Sequence, residues 1–233
     1  MKKMLSIVKE KFARSKEAKN AVWIIGGRVA QMVLSFFVGI LTARYLGPSN
    51  YGIMNYAAAY VAFFTSFCTL GINSVIIKDF VDYPDEQGDA IGTALFLRAL
   101  SSVVSALMIW GIVSIVDHDE PTIIAVTVLS SIALVFQIAD TLNYWFQSRY
   151  QSKVSSIATL ISYIITSSYR IFLLVAHKDI RWFALASSID YICVAIVLFM
   201  AYVKNGGPRL SISRKKINDL LSKSYNYILA SMM

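Results

Sequence analysis

Six apolar runs, each longer than twenty residues and separated by short polar breaks, govern what this chain can fold into. A helical bilayer crossing takes about 20 such residues. The runs fall at 21–46, 51–77, 90–116, 122–147, 154–176 and 181–203. They are divided by Gly47-Pro48-Ser49, by Asp79 to Gly88 with Pro84, by Asp117 to Pro121, by Arg149 to Lys153 and by His177-Lys178-Asp179. Asn205-Gly206-Gly207-Pro208 ends the last run. Breaks this short join antiparallel neighbours, so the expected fold is an all-α membrane protein, a polytopic helical bundle of six transmembrane helices. Membrane strands need only about ten residues of period-two alternation, which these runs do not resemble.

Composition agrees. Hydrophobic residues make up 57% of the chain and charged residues 15%, with a mean hydropathy of +0.59. A soluble domain carries about a quarter charged residues, and one core could not bury this much apolar surface.

The net charge of +8 sits at the ends of the apolar runs rather than in a stripe interleaved with aromatics. That placement argues against nucleic acid and for anionic membrane lipids as a partner. Basic residues also set the orientation. With the N-terminus cytoplasmic, 16 of the 22 lysines and arginines fall on the inner side. Only Arg44, Lys178 and Arg181 fall outside, and Arg28, Arg98 and Arg170 lie within runs.

Residues 1–19 form a basic N-terminal segment, in which Leu5, Val8 and Phe12 recur at helical spacing. It reads either as an amphipathic helix on the inner surface or as a solvated basic tail. No cleaved leader is expected, because the apolar stretch after Asn20 is too long for one. Residues 204–223 read as a basic cytoplasmic linker. Residues 224–233 read as the start of a seventh transmembrane helix, cut short.

Charges inside the runs are the main functional signal, since a charge near the middle of a spanning helix costs about 2.5–3.5 kcal/mol. Arg28, Arg98, Asp140, Arg170 and Asp190 are the candidates. Arg28 and Gln31 share a stripe with Ser35, Gly39 and Thr42. Asn55 and Asn73 lie on a stripe of small and polar residues in the second run, and Arg98 stands with Ser101 and Ser105 in the third. Asp140 lies beside Gln137, Thr141 and Tyr144, and Arg170 beside Ser162, Thr166 and Tyr169. Such stripes either pack helix against helix or line a wet cavity. The candidate cavity lining is Arg28, Gln31, Asn55, Asn73, Arg98, Asp140 and Arg170. Three arginines against two aspartates would make such a lumen mildly cationic, suited to an anionic head group such as a diphosphate.

No catalytic set and no cofactor signature occurs. His118 and His177 have no metal-ligand spacing, and Cys68 and Cys193 lie inside apolar runs. The chain is expected not to be an enzyme, and neither a metal nor a cofactor is expected.

Three stretches carry a family resemblance. The first runs from Asn20-Ala21-Val22-Trp23 to Arg28. The second is Thr42-Ala43-Arg44-Tyr45-Leu46-Gly47-Pro48-Ser49-Asn50-Tyr51-Gly52, and the third is Thr69-Leu70-Gly71-Ile72-Asn73. They resemble the polysaccharide-transporter, or O-antigen-type lipid-linked oligosaccharide flippase, family. Trp145-Phe146-Gln147 is similar to another family feature, although Ser148, Arg149 and Tyr150 depart from the Gly and Glu that usually follow. The resemblance implies the multidrug, oligosaccharidyl-lipid and polysaccharide exporter fold, with about twelve to fourteen spans in two halves. This chain would be the N-terminal half, its C-terminal half missing. It implies a flippase in the bacterial cytoplasmic membrane that carries a polyprenyl-diphosphate-linked oligosaccharide for lipopolysaccharide or capsule synthesis. The alternatives are a drug/cation antiporter of the same fold, an integral-membrane enzyme of glycan assembly, or a scaffold.

Overall fold

The structure, a computed structural model, describes residues 16–69 and 71–232. Among these residues every regular element is a helix: α1 (Lys16–Thr69), α2 (Ile72–Asp82), α3 (Gln87–Val116), α4 (Pro121–Phe136), α5 (Asp140–Ser148), α6 (Ser152–Val175), α7 (Ile180–Lys204) and α8 (Arg214–Met232). Short 3-10 turns, Pro84–Glu86 and Gln137–Ala139, lead into α3 and α5. Leu5, Val8 and Phe12, on which the amphipathic reading of the N-terminal segment rests, lie outside the described residues.

Among the described residues, five stretches are long and apolar enough to cross a membrane: Ala21–Thr69, Pro84–Val116, Pro121–Ser148, Ser152–Val175 and Ile180–Lys204. Six separate ones were expected. The difference arises at Gly47 and Pro48, where helix resumes at once on the far side of a single non-helical residue, so the first two runs form one helical stretch. Gly47 has φ 72° and ψ 173°, and Pro48 is tolerated because it opens the next first turn, where its missing N–H is not needed.

The contacts of α1 show what that residue does. Straight, this 49-residue stretch would reach roughly 74 Å, against a hydrocarbon core of about 30 Å. At one end of the bundle, here the proximal end, the Trp23 carbonyl accepts a hydrogen bond from Ser156 (2.9 Å) and Lys153 lies over the Trp23 ring. At the other, distal end, the Tyr45 hydroxyl donates to the Lys178 carbonyl (3.2 Å). Tyr56 then donates to Asp117 in the α3–α4 turn (2.9 Å), and Phe64 and Cys68 pack with Ile109, Val113 and Leu134. Beyond Gly71, Ile72, Ile76 and Phe80 lie with Trp145 and Phe146, back at the proximal end. The chain therefore runs out along a first leg, turns at Gly47, and comes back along a return leg.

Gly47 sits where only glycine is at ease. A Cβ there would meet nothing within 4 Å, so backbone conformation alone sets the penalty. Gly47→Ala should lower stability by about 1–3 kcal/mol, measured as a drop in unfolding temperature in detergent. An unchanged value would mean that the turn relaxes.

Two runs expected to be unbroken are interrupted. Run 51–77 ends its first helix at Thr69, and Gly71, left-handed at φ 63°, starts α2. Run 122–147 tightens at Gln137–Ala139, where the Gln137 amide is engaged by Thr65 and Tyr191 (both 3.4 Å). α8 runs without a break across the expected boundary at residue 224.

Apolar faces also point outward. Met32, Phe36 and Phe37 of the first leg and Leu100, Trp110 and Ile115 of α3 are all more than half exposed, as a lipid-facing surface requires.

Candidate functional site

A cavity of about 350 Å³ lies between the first leg, α5, α6 and α7 near the proximal end. Its wall is polar, although the helices that make it are apolar. The first leg supplies Arg28 and Gln31, α5 supplies Asp140, Asn143 and Gln147, α6 supplies Ser155 and Thr159, and α7 supplies Asp190 and Tyr191. Gly27 seats the first leg against α6: a Cβ on it would stand 3.2 Å from the Ser156 Cβ. That close approach fixes which way the next residue, Arg28, faces.

The three charges are held differently. The Ser162 hydroxyl lies 2.6 Å from both the carbonyl and the carboxylate Oδ1 of Asp190, and Thr166 donates to the same Oδ1 at 3.4 Å. Asp190 is thus oriented by hydroxyls of the neighbouring helix. Asp140 is half-buried and Arg28 is exposed; neither has a hydrogen bond or an ion pair among the described residues. A guanidinium left free at the mouth of a polar cavity can offer its full fork of donors to an anion.

A second cavity, of about 470 Å³, lies further along the first leg. Ser35, Gly39 and Thr42 face Asn55 of the return leg, Arg170 of α6 and Ser187 of α7. Arg28 and Thr42 are separated by about 21 Å along the leg, taking 1.5 Å per residue. The first leg thus connects a proximal and a distal polar station.

Of the residues singled out in the sequence, Arg28, Gln31 and Asp140 meet in the proximal cavity, and Asn55 and Arg170 meet in the distal one. Arg98 lines neither. It is 2% exposed, donates from Nη1 to Thr141 Oγ1 (3.1 Å), and its Nε is buried without a partner. Its charge backs the wall that carries Asp140. Asn73 lies in α2, with a buried, unpartnered Oδ1, away from both cavities. The proximal wall therefore holds one arginine and two aspartates, and the cationic character expected of the lumen is confined to the distal station. Asn143, Gln147 and Tyr191 were missed; Gln147 alone had a signal, in the Trp145-Phe146-Gln147 stretch.

That stretch divides its work. Trp145 and Phe146 are fully buried at the proximal end. Trp145 Nε1 and Arg149 both donate to Gln87 Oε1 (3.0 and 3.2 Å), and the Gln87 amide donates to the Phe80 carbonyl (2.8 Å). This ties α2, α3 and α5 together below the cavity.

A family model described as polysaccharide biosynthesis protein matches residues 18–233. No curated protein and no solved structure matches the chain.

Proposed function

The chain belongs to the polysaccharide biosynthesis protein family, and on that premise we propose that it is a flippase for a polyprenyl-diphosphate-linked oligosaccharide in the bacterial cytoplasmic membrane. It is a multi-pass membrane protein. Counting the two legs of α1 separately gives six crossings, with the N-terminus and the proximal end cytoplasmic.

The observation that carries this reading is Arg28: a charged side chain in an apolar helix that lines a polar cavity and has no partner among the described residues. A diphosphate has the charge and geometry to engage such a guanidinium bidentately. Arg170 of α6, at the distal station, offers a second basic contact nearer the opposite leaflet. Cargo passing from one to the other would keep its head group off the lipid, as alternating access requires. Ser, Thr, Asn and Gln side chains between them suit sugar hydroxyls. No group on the chain is assigned a catalytic role.

The second reading is a drug or cation antiporter of the same superfamily. Asp140 and Asp190 in the proximal wall favour it, because paired carboxylates attract cations. The two readings separate on Arg28, which a cation carrier has no use for.

The test is complementation by the complete gene product of a strain that lacks its lipid-linked-oligosaccharide flippase. Restored surface glycan is the expected result. Failure across a panel of glycan repeats would count against the reading.

A further inference from the structure

Between α7 and α8 the chain is without helix over residues 208–213 and lies across the start of α3. Two glycines make the groove. A Cβ on Gly88 would stand 2.2 Å from the Arg209 carbonyl oxygen, and one on Gly92 would stand 2.2 Å from that of Ser211. The Ser211 amide donates to the Gly88 carbonyl (3.3 Å), its hydroxyl to Asp89, and the Ser213 amide to Thr93 Oγ1 (3.1 Å). The strap is therefore fastened through Ser211 and Ser213. Leu210 and Ile212, which make none of these bonds, are 40% and 59% exposed.

The face of α3 under the strap tells what surrounds them. At about 100° per residue, Gly88, Asp89, Gly92 and Thr93 fall within an arc of about 140°. Phe96, Leu100, Val103 and Leu107, all roughly half exposed, fall inside the same arc. The strap thus covers the lipid-facing side of α3, at the level where its apolar surface ends. Arg209, Arg214 and Lys215, all exposed, flank these two exposed apolar residues. Apolar side chains ringed by bases at the end of a membrane helix match the boundary between acyl chains and anionic head groups.

We propose that residues 209–215 form a built-in membrane anchor, with Leu210 and Ile212 entering the leaflet at the proximal end and Arg209, Arg214 and Lys215 binding its anionic lipid head groups. The anchor rests on the chain being membrane-embedded, not on what it carries. α8 follows the strap directly and is pinned to α2 by Lys216, so the anchor holds that helix against the bilayer.

The full chain, with Cys68→Ala and Cys193→Ala, is placed in lipid discs of zwitterionic lipid or of mixed zwitterionic and anionic lipid. Discs show the same lipid at both faces and no transport is read, so failure here is distinct from failure of the flippase reading. Ile212→Cys and, as an exposed reference on α8, Asn218→Cys are labelled with a neutral polyethylene-glycol maleimide. In anionic discs Ile212→Cys should react at least about tenfold more slowly than Asn218→Cys. Removing the anionic lipid, or replacing Arg209, Arg214 and Lys215 together with Gln, should bring the two rates within about threefold. Equal rates in anionic discs would overturn the anchor and point to a cytosolic partner for this surface. Protection that ignores both lipid charge and the three bases would overturn the head-group contact.

Discussion

Lys216→Met should destabilise the fold by about 3–5 kcal/mol, because it strips the partner from a buried carboxylate. The Lys216 ammonium lies 2.9 Å from Asp79 Oδ2 and 2.9 Å from Glu86 Oε2, and over the Tyr83 ring at 4.7 Å. The side chains of Lys216 and Asp79 are 6% and 2% exposed, that of Glu86 46%. Without the lysine, Glu86 returns to water, but Asp79 stays buried with its partner gone and with Oδ1 already lacking a hydrogen bond. Adding Asp79→Asn should recover most of the loss, since no buried charge then remains. Burial alone would lower the lysine pKa, but the hydrogen bonds and charges of Glu86 and Asp79 outweigh it and hold it above the ordinary value of 10.5. A raised lysine pKa gives stability that is whole below the unfolded value and is lost as pH climbs through the folded one. The difference in unfolding temperature between wild type and Lys216→Met should therefore hold from pH 7 to 9, and shrink only above about pH 10.5. Equal stability of the two proteins would mean that α8 is not fastened by this cluster.

Arg28→Ala is expected to cut transport by about ten- to a hundredfold, the worth of one or two charge-assisted hydrogen bonds to the cargo. The fold should not suffer. Arg28 is exposed and has no partner to abandon among the described residues, and losing a charge from a spanning helix eases insertion by about 2.5–3.5 kcal/mol if the site is central. Arg28→Lys, which keeps the charge and loses the planar fork, should fall between. Expression, unfolding temperature and complementation measured side by side separate loss of function from loss of fold. Normal transport by Arg28→Ala would remove the diphosphate contact from the account and favour the cation carrier.

The sequence made the helices and most of their ends plain, because apolar length and the Gly, Pro and Asp breaks act locally. Gly47-Pro48 reads as a break for this reason. Gly71 does not, since the apolar pattern continues through Ile72 and Val75 to Ile77, and pattern does not encode φ. Stripes showed which residues share a face, which sufficed for Arg28 with Gln31. It did not say which neighbour the face meets. Arg98 shares its face with Ser101 and Ser105 as expected, but that face packs on Thr141 and on the Cys68 backbone rather than opening to a cavity. Lys216 shows the same limit. Among Arg214, Lys215 and Lys223 it reads as one more solvated base, yet its partner Asp79 lies 137 residues away. Contacts across that separation leave no trace in local composition.

The most direct measurement is leaflet-resolved transfer of a polyprenyl-diphosphate-linked oligosaccharide in vesicles that hold the complete gene product, read as enzyme access to the sugar from one side. Protein-dependent appearance of the glycan at the far leaflet is expected, slowed about ten- to a hundredfold by Arg28→Ala. Absence of any protein-dependent transfer, with the same vesicles moving a cationic drug instead, would contradict the flippase reading.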